Sequence, residues 1–488
     1  MLFNSVVFII LFLPAALLGW FLLQRLENPI FAKLFLIGMS FWFYGYYNIS
    51  YLWILIVSLV FNYGVSALLE RFSGRKACTG LLAAGILGNL GLLFYFKYFN
   101  FFVDNCNFFL HTDFHVEKIA LPLGISFFTF QQLSFVIDRY QGEAPHYPPA
   151  DYCFFVSFFP QLVAGPIVLH SELLPRLQER KDIRRPSADH FYDGFSLFVI
   201  GLAKKVLLAD ALAVPVNAEY ENIMALDTPS AWIVIVFYML ELYFDFSGYC
   251  DMARGIGRMF GFTLPENFDA PFQAASVREF WRRWHMTLSR FLSRYIYFPL
   301  GGSRRGKARQ CLNLLVVFLV SGLWHGANWT FILWGLMHGL AAVFETLFPG
   351  ARFKWNWLNR LLTFLFVTLS FSIFRSDSLN EALLLWKKLF TAGNSGFFIA
   401  MCNTLRYPEN YALVKFLEMA APGLLNPFYA VTFCLLAGIG IAAVRGRKAE
   451  QWIRDKGNSG WGGFCLAPLF VWSFFSLSQV SVFLYFNF

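Results

Sequence analysis

Charge is what this chain of 488 residues lacks most: 14% of it is Asp, Glu, Lys or Arg, against about 25% in an average soluble domain. Hydrophobic residues make up 58% and aromatics 20%, with 61 Phe, 21 Tyr and 15 Trp. That balance excludes a soluble globular chain. It predicts an all-α polytopic membrane protein, with lipid as its principal partner, since a spanning helix satisfies its own backbone polar groups. The eight cysteines form no C-x-x-C pair, so they read as small apolar residues rather than a redox or metal centre. There is no G-x-S-x-G elbow and no Walker A loop, which leaves serine-hydrolase and nucleotide-hydrolysing functions without support. Internal repeats and low-complexity tracts are also missing. No basic segment precedes the first apolar run, so Met1 to about Leu23 reads as an uncleaved first span rather than a signal peptide.

What is present is a series of apolar runs. They predict about 11–12 transmembrane helices, at roughly 4–24, 30–48, 50–70, 79–103, 119–137, 188–214, 230–250, 311–327, 328–348, 358–375, 428–446 and 462–486. A further apolar stretch at 151–168 is broken by Pro160, Gly165 and Pro166 and fits a re-entrant hairpin. The loops holding Arg71 to Lys76, Arg176 to Arg185, Arg304 to Arg309 and Arg445 to Lys456 are strongly basic. Alternating twelve spans puts all of them on one side, the cytoplasmic one by the positive-inside rule, with both termini extracytoplasmic. The net charge of +9 then needs no nucleic-acid partner. The long loop at 376–427 carries Glu381-Ala-Leu-Leu-Leu-Trp-Lys-Lys388, which reads as an interfacial amphipathic helix.

Polar residues concentrate between Asp245 and His338. His325 lies in Ser321-Gly-Leu-Trp-His-Gly-Ala-Asn328, inside an apolar run. An ionisable group at membrane depth costs about 2.5–3.5 kcal/mol for Arg, Lys or Asp on insertion scales, so it marks a functional site by default. Imidazole also titrates closest to neutrality, which suits proton transfer. Arg278, Arg282, His285 and Ser289 recur at i, i+4, i+7 and i+11, which on one helix shares a face. Phe280, Trp284, Met286 and Phe291 then turn to lipid or protein. Such a helix fits the cytoplasmic interface, meeting either lipid headgroups or a phosphate-bearing substrate.

On one straight helix the 13 residues from His325 to His338 turn by about 220°, so the two do not share a face. His338 reads as structural. His111 and His115 have metal spacing without acidic or Cys partners, so no metal site is expected. The H-x4-D spacing of His146 and Asp151 is interrupted by Pro148 and Pro149 and reads as chance.

The segments Leu121–Gln131, Phe158–Pro166, Asp245–Gly257, Phe280–His285, Tyr297–Gly302 and Gly322–Trp329 together resemble the membrane-bound O-acyltransferases (MBOAT). The match is to their bacterial polysaccharide-modifying branch, of the alginate O-acetyltransferase type. The resemblance covers most of the chain and is weakest in 376–427. It implies a single MBOAT domain over 1–488, with N-terminal helices to 118, a catalytic core over 119–348 and C-terminal helices over 349–488. It implies catalysis by His325, with His285 as the second signature histidine. The ending Phe483-Leu-Tyr-Phe-Asn-Phe488 is similar to the branch's F-x-Y-x-x-F motif, which implies an acyl relay at Tyr485.

The function so implied is transfer of an acetyl group from cytoplasmic acetyl-CoA across the bacterial inner membrane. An extracytoplasmic SGNH-type or similar transferase then places it on an exported or cell-wall polysaccharide. A neutral imidazole at His325 takes the proton of the attacking hydroxyl, and Asn328 orients a carbonyl or packs helices. Arg282 and Arg283 pair with coenzyme A phosphates. A thioester is already activated, so no tightly bound cofactor is expected. Two alternatives remain: D-alanyl transfer to teichoic acids, and a transporter of lipid-linked sugars, which needs the acidic relays or repeats that the sequence lacks.

Overall fold

The computed structural model describes residues 1–72, 74–179, 188–391, 393, 402, 410–445, 449–456, 460–479 and 483–484. Among these the regular structure is helical, with no strand. Among the described residues seven helices are long and apolar enough to cross a membrane: Ser50–Arg71, Lys76–Leu110, Thr228–Met259, Lys307–His325, Trp329–Leu347, Asn356–Arg375 and Pro422–Ala442. Phe8–Leu23, Ile30–Gly45 and Gly463–Phe475 are apolar but shorter. The run expected at 119–137 forms the helix Ile125–Gln141, whose Gln131, Gln132 and Asp138 are buried. The run at 188–214 forms Ala188–Ala203, a π-turn and Asp210–Tyr220, with Lys204, Lys205 and Asp210 at the junctions. The amphipathic segment is the helix Leu379–Thr391.

The chain forms two compact units. The first is drawn mainly from Met1–Phe198 and Tyr249–Asn267. Its helices Ser50–Arg71 and Arg75–Leu93 are tied by the side chains of Asn62 and Asn89. Each amide donates to the other's oxygen, at 3.1 and 2.6 Å. Both residues are buried, and reciprocal pairing leaves no amide unsatisfied against apolar surroundings. The broken stretch at 151–168 contains two short helices, Pro149–Ser157 and Phe159–Leu162, buried over nearly their whole length. Asp151 pairs with Lys33, whereas His146 bonds to Glu70 at 2.9 Å. The H-x4-D spacing thus serves two separate contacts.

The second unit comprises Val199–Gly248 and Phe268–Leu484. At its centre the helices Lys307–His325 and Trp329–Leu347 form a tight hairpin. A Cβ on Gly322 would stand 2.4 Å from the Phe331 carbonyl oxygen, and one on Gly335 would stand 2.4 Å from that of Phe318. No other residue lets two backbones approach so closely, which is how small residues join helices without a hydrophobic driving force.

Candidate active site

The hairpin turn places His325. The helix ends at His325, and Asn328 caps the next one, its Oδ1 accepting the Thr330 N–H at 3.2 Å. Asn328 Nδ2 donates to the Asp377 carbonyl at 2.8 Å, so both ends of this amide hold backbone. His325 and His338 therefore sit on two helices, not one. Both rings pack against the Trp334 indole, with centroids 5.1 and 4.9 Å away.

His285 enters from a different element. Ser276 caps the helix Val277–Arg283, accepting the Glu279 N–H at 3.2 Å, while Glu279 accepts the Ala275 N–H at 2.9 Å. The Glu345 carboxylate also takes the N–H groups of Val277 and Arg278, at 2.6 and 3.1 Å. A carboxylate on a helix N-terminus is favoured by both the free donors and the helix dipole. This helix stops before Trp284, and a second begins at Met286.

Between them His285 has φ +44°. A left-handed conformation is costly for a residue with a Cβ and is found where the surroundings hold it, often at functional sites. The continuous helix expected from Arg278 to Ser289 does not form. Arg278 and Arg282 are exposed, while His285 is fully buried. Phe280, Trp284 and Phe291 are buried in protein rather than set toward lipid.

The break brings His285 to His325, with ring centroids 6.4 Å apart. The Phe246 ring stands edge-on to His285 at 4.8 Å, and Trp324 lies 6.0 Å from it. Around His325 stand Trp324, Trp334 and Phe374, at 4.9, 5.1 and 5.2 Å. Burial pushes the His285 imidazole down to about 3, so it stays neutral at physiological pH. The sign follows: this group's contribution to stability is full above about 6.5 and is lost as pH falls toward 3.

His338 is occupied by structure. The Trp281 indole N–H donates to its Nδ1 at 3.1 Å, and its Nε2 lies 2.9 Å from Ser370 Oγ. Indole can only donate, and Ser370 Oγ donates to the Val367 carbonyl at 2.8 Å. The proton on His338 is therefore on Nε2. This pair fixes Trp281 and with it the helix that leads to His285. Ser370→Ala strands that N–H in a buried site, a cost of about 1–3 kcal/mol. The expected result is a lower unfolding temperature in detergent with turnover per folded molecule preserved; an unchanged melting curve contradicts it.

Arg282 is exposed. Arg283 bonds to Glu279 at 2.9 Å and to the Asp269 carbonyl at 3.2 Å, so its guanidinium is engaged inside the protein. Tyr485 lies outside the described residues. No cluster of three metal-ligating side chains occurs among the described residues. Sequence reasoning missed Glu345, Phe246, Ser370 and Phe374. One Phe among 61 carries no signal.

Residues 37–374 match the membrane-bound O-acyltransferase family, MBOAT. The chain is 36% identical to a peptidoglycan O-acetyltransferase of Helicobacter pylori, across 100% of this chain and 98% of that one. It is 38% identical to the probable alginate O-acetylase AlgI of Pseudomonas aeruginosa, over 80% of this chain and 75% of the other. A teichoic acid D-alanyltransferase of Bacillus subtilis is 27% identical over 51% of this chain and 65% of its own length.

Proposed function

The chain belongs to the membrane-bound O-acyltransferase family, and from that premise we propose that it carries acetyl groups across the bacterial inner membrane for O-acetylation of an exported or cell-wall polysaccharide. The donor is cytoplasmic acetyl-CoA. The observation that supports this most is the meeting of His285 and His325, two buried imidazoles 6.4 Å apart, inside an aromatic cage.

In the reaction His325 takes the proton of an attacking hydroxyl as its oxygen bonds to the acetyl carbonyl carbon. The C–S bond then breaks, and the coenzyme A thiolate leaves with the proton from the imidazolium. General-base help of this kind contributes about 10²–10⁴-fold. Neutral His285 faces the same group and steadies the polarised carbonyl or its hydroxyl partner. Asn328 fixes the turn that aims His325. Exposed Arg282, rather than the engaged Arg283, meets the coenzyme A phosphates.

Tyr485 receives the acetyl group as a phenyl ester, and an extracytoplasmic SGNH-type or similar transferase passes it to the glycan. Acetyl transfer is favoured over D-alanyl transfer because the relatives named for O-acetylation match 80–100% of the chain at 36–38% identity. The D-alanyltransferase matches half of it at 27%.

Sealed membrane vesicles of both orientations test the direction. Radiolabelled acetyl-CoA is expected to be consumed only when it meets the face bearing the basic loops. Equal use from both faces, or transfer of D-alanyl groups with acetyl-CoA ignored, contradicts the proposal.

A further inference from the structure

Within the second unit a cavity of about 540 Å³ lies between the helices Trp329–Leu347 and Asn356–Arg375, near the residues 348–355 that join them. That is within the about 300–1,000 Å³ of ordinary ligand sites. Its walls are apolar, with Leu340 and Phe344 from the first helix and Leu362 and Phe366 from the second. Leu340, Phe344 and Leu362 are exposed, and both helices are long and apolar enough to cross a membrane. Exposed apolar side chains on such helices meet acyl chains, so the walls run on into a lipid-facing surface.

The rim has the opposite character. Arg278 and Arg352 line it, and both are exposed. Neither guanidinium has an ion pair or a hydrogen bond among the described residues. The acidic residue of the lining, Glu345, is already engaged: its carboxylate takes the N–H groups of Val277 and Arg278. From Pro349 to Arg375 the chain has Arg352, Lys354 and Arg360 and no acidic residue. The loop is also held in shape. Asn359 Oδ1 accepts the Phe353 N–H at 3.0 Å and its Nδ2 donates to the Phe353 carbonyl at 2.9 Å, which fixes the backbone next to Arg352. Trp355 and Trp357 are exposed on the same loop, as tryptophans are at the headgroup level of a bilayer.

We propose that this cavity binds an anionic glycerophospholipid, its phosphate on Arg278 and Arg352 and an acyl chain along Leu340, Phe344 and Leu362. Basic pockets between spanning helices take anionic headgroups, and a guanidinium meets phosphate oxygens with two parallel hydrogen bonds. Two cations above apolar walls select a molecule that carries negative charge and a hydrocarbon chain together. A soluble nucleotide has the charge but would set a polar body against those walls. A zwitterionic lipid has the chain but brings a cation to two arginines.

Photo-crosslinking of the full-length protein in nanodiscs tests the proposal. The probes are phosphatidylglycerol and phosphatidylcholine bearing the same diazirine acyl chain, and mass spectrometry maps the labelled peptides. Phosphatidylglycerol is expected to label Met337–Phe344 and Leu362–Phe366 at least about 5-fold more than phosphatidylcholine does. Arg278→Gln combined with Arg352→Gln brings its labelling down to the phosphatidylcholine level. Arg71→Gln combined with Lys76→Gln removes the same charge from another basic loop and leaves labelling at the parental level. Ala341→Phe fills the cavity while keeping both arginines, and it lowers labelling by both lipids.

Equal labelling by the two lipids in the parent, a comparison that needs no variant, overturns the proposal and leaves an ordinary lipid-facing groove. Undiminished labelling in the double arginine variant overturns the headgroup contact. Loss of phosphatidylglycerol labelling on addition of coenzyme A assigns the cavity to the soluble donor instead.

Discussion

Replacing His325 with Ala is expected to abolish acyl transfer while the protein still inserts, purifies and elutes as the parent does. The residue ends a helix in a hairpin whose turn is held from outside by Asn328 bonds to Thr330 and Asp377, so the turn does not depend on the imidazole. The aromatic rings that surround His325 also contact one another: Trp334 with Phe374 at 5.3 Å, and Phe371 with Phe374 at 5.5 Å. The cage therefore outlasts the loss of one member. On the proposed mechanism, what disappears is the base that takes the hydroxyl proton, a loss of at least about 10²-fold. Steady-state acetyl transfer by detergent-purified variant, normalised to monodisperse protein, measures it. Near-parental turnover would remove His325 from the mechanism.

The two histidines differ in how far the sequence revealed them. His325 was legible because an ionisable residue in an apolar run stands out, and the apolar pattern already split the segment into two spans near Gly326–Asn328. The break at His285 was hidden. Neither Trp284 nor His285 signals a helix end, and the i, i+4, i+7 pattern of Arg278, Arg282 and His285 argued for continuity. What ends the helix is tertiary. Glu345 fixes its start, the Trp281–His338–Ser370 chain fixes its rotation, and burial of Trp284 against Phe268, Phe280 and Phe371 at 5.0, 5.4 and 5.5 Å fixes its exit.

Apart from Phe268 and Phe280, those partners lie tens of residues away, where local periodicity carries no information. Arg283 is the opposite case. The sequence reading gave it to coenzyme A phosphates, although its i, i+4 relation to Glu279 was there to be read, and the structure pairs the two. Among the described residues seven helices are long and apolar enough to cross a membrane, and three more are apolar but shorter. Helices such as Asp210–Tyr220 bury charged residues against protein, and length and apolarity alone do not recognise them as crossings.

Tyr485→Phe is expected to insert and fold normally yet leave the exported glycan without acetyl groups. The substitution removes one oxygen and keeps the ring, so any role in an interfacial aromatic belt persists. What it removes is the proposed nucleophile. An acetyl group has to leave the cytoplasmic thioester without coenzyme A following it, and an oxygen ester on the protein meets that need. A phenol, with a pKa near 10, leaves more readily than an alkyl alcohol, so its ester stays reactive toward a second acceptor. In the variant His325 keeps its surroundings, and slow hydrolysis of acetyl-CoA by water continues where glycan acetylation stops. That split, measured as thioester consumption in purified protein and as ester content of the glycan in cells, separates a lost relay from a damaged active site. Parental levels of glycan acetylation in Tyr485→Phe would reduce the tyrosine to a packing residue, and the acetyl group would then have to pass directly from the thioester to an acceptor hydroxyl brought to His325.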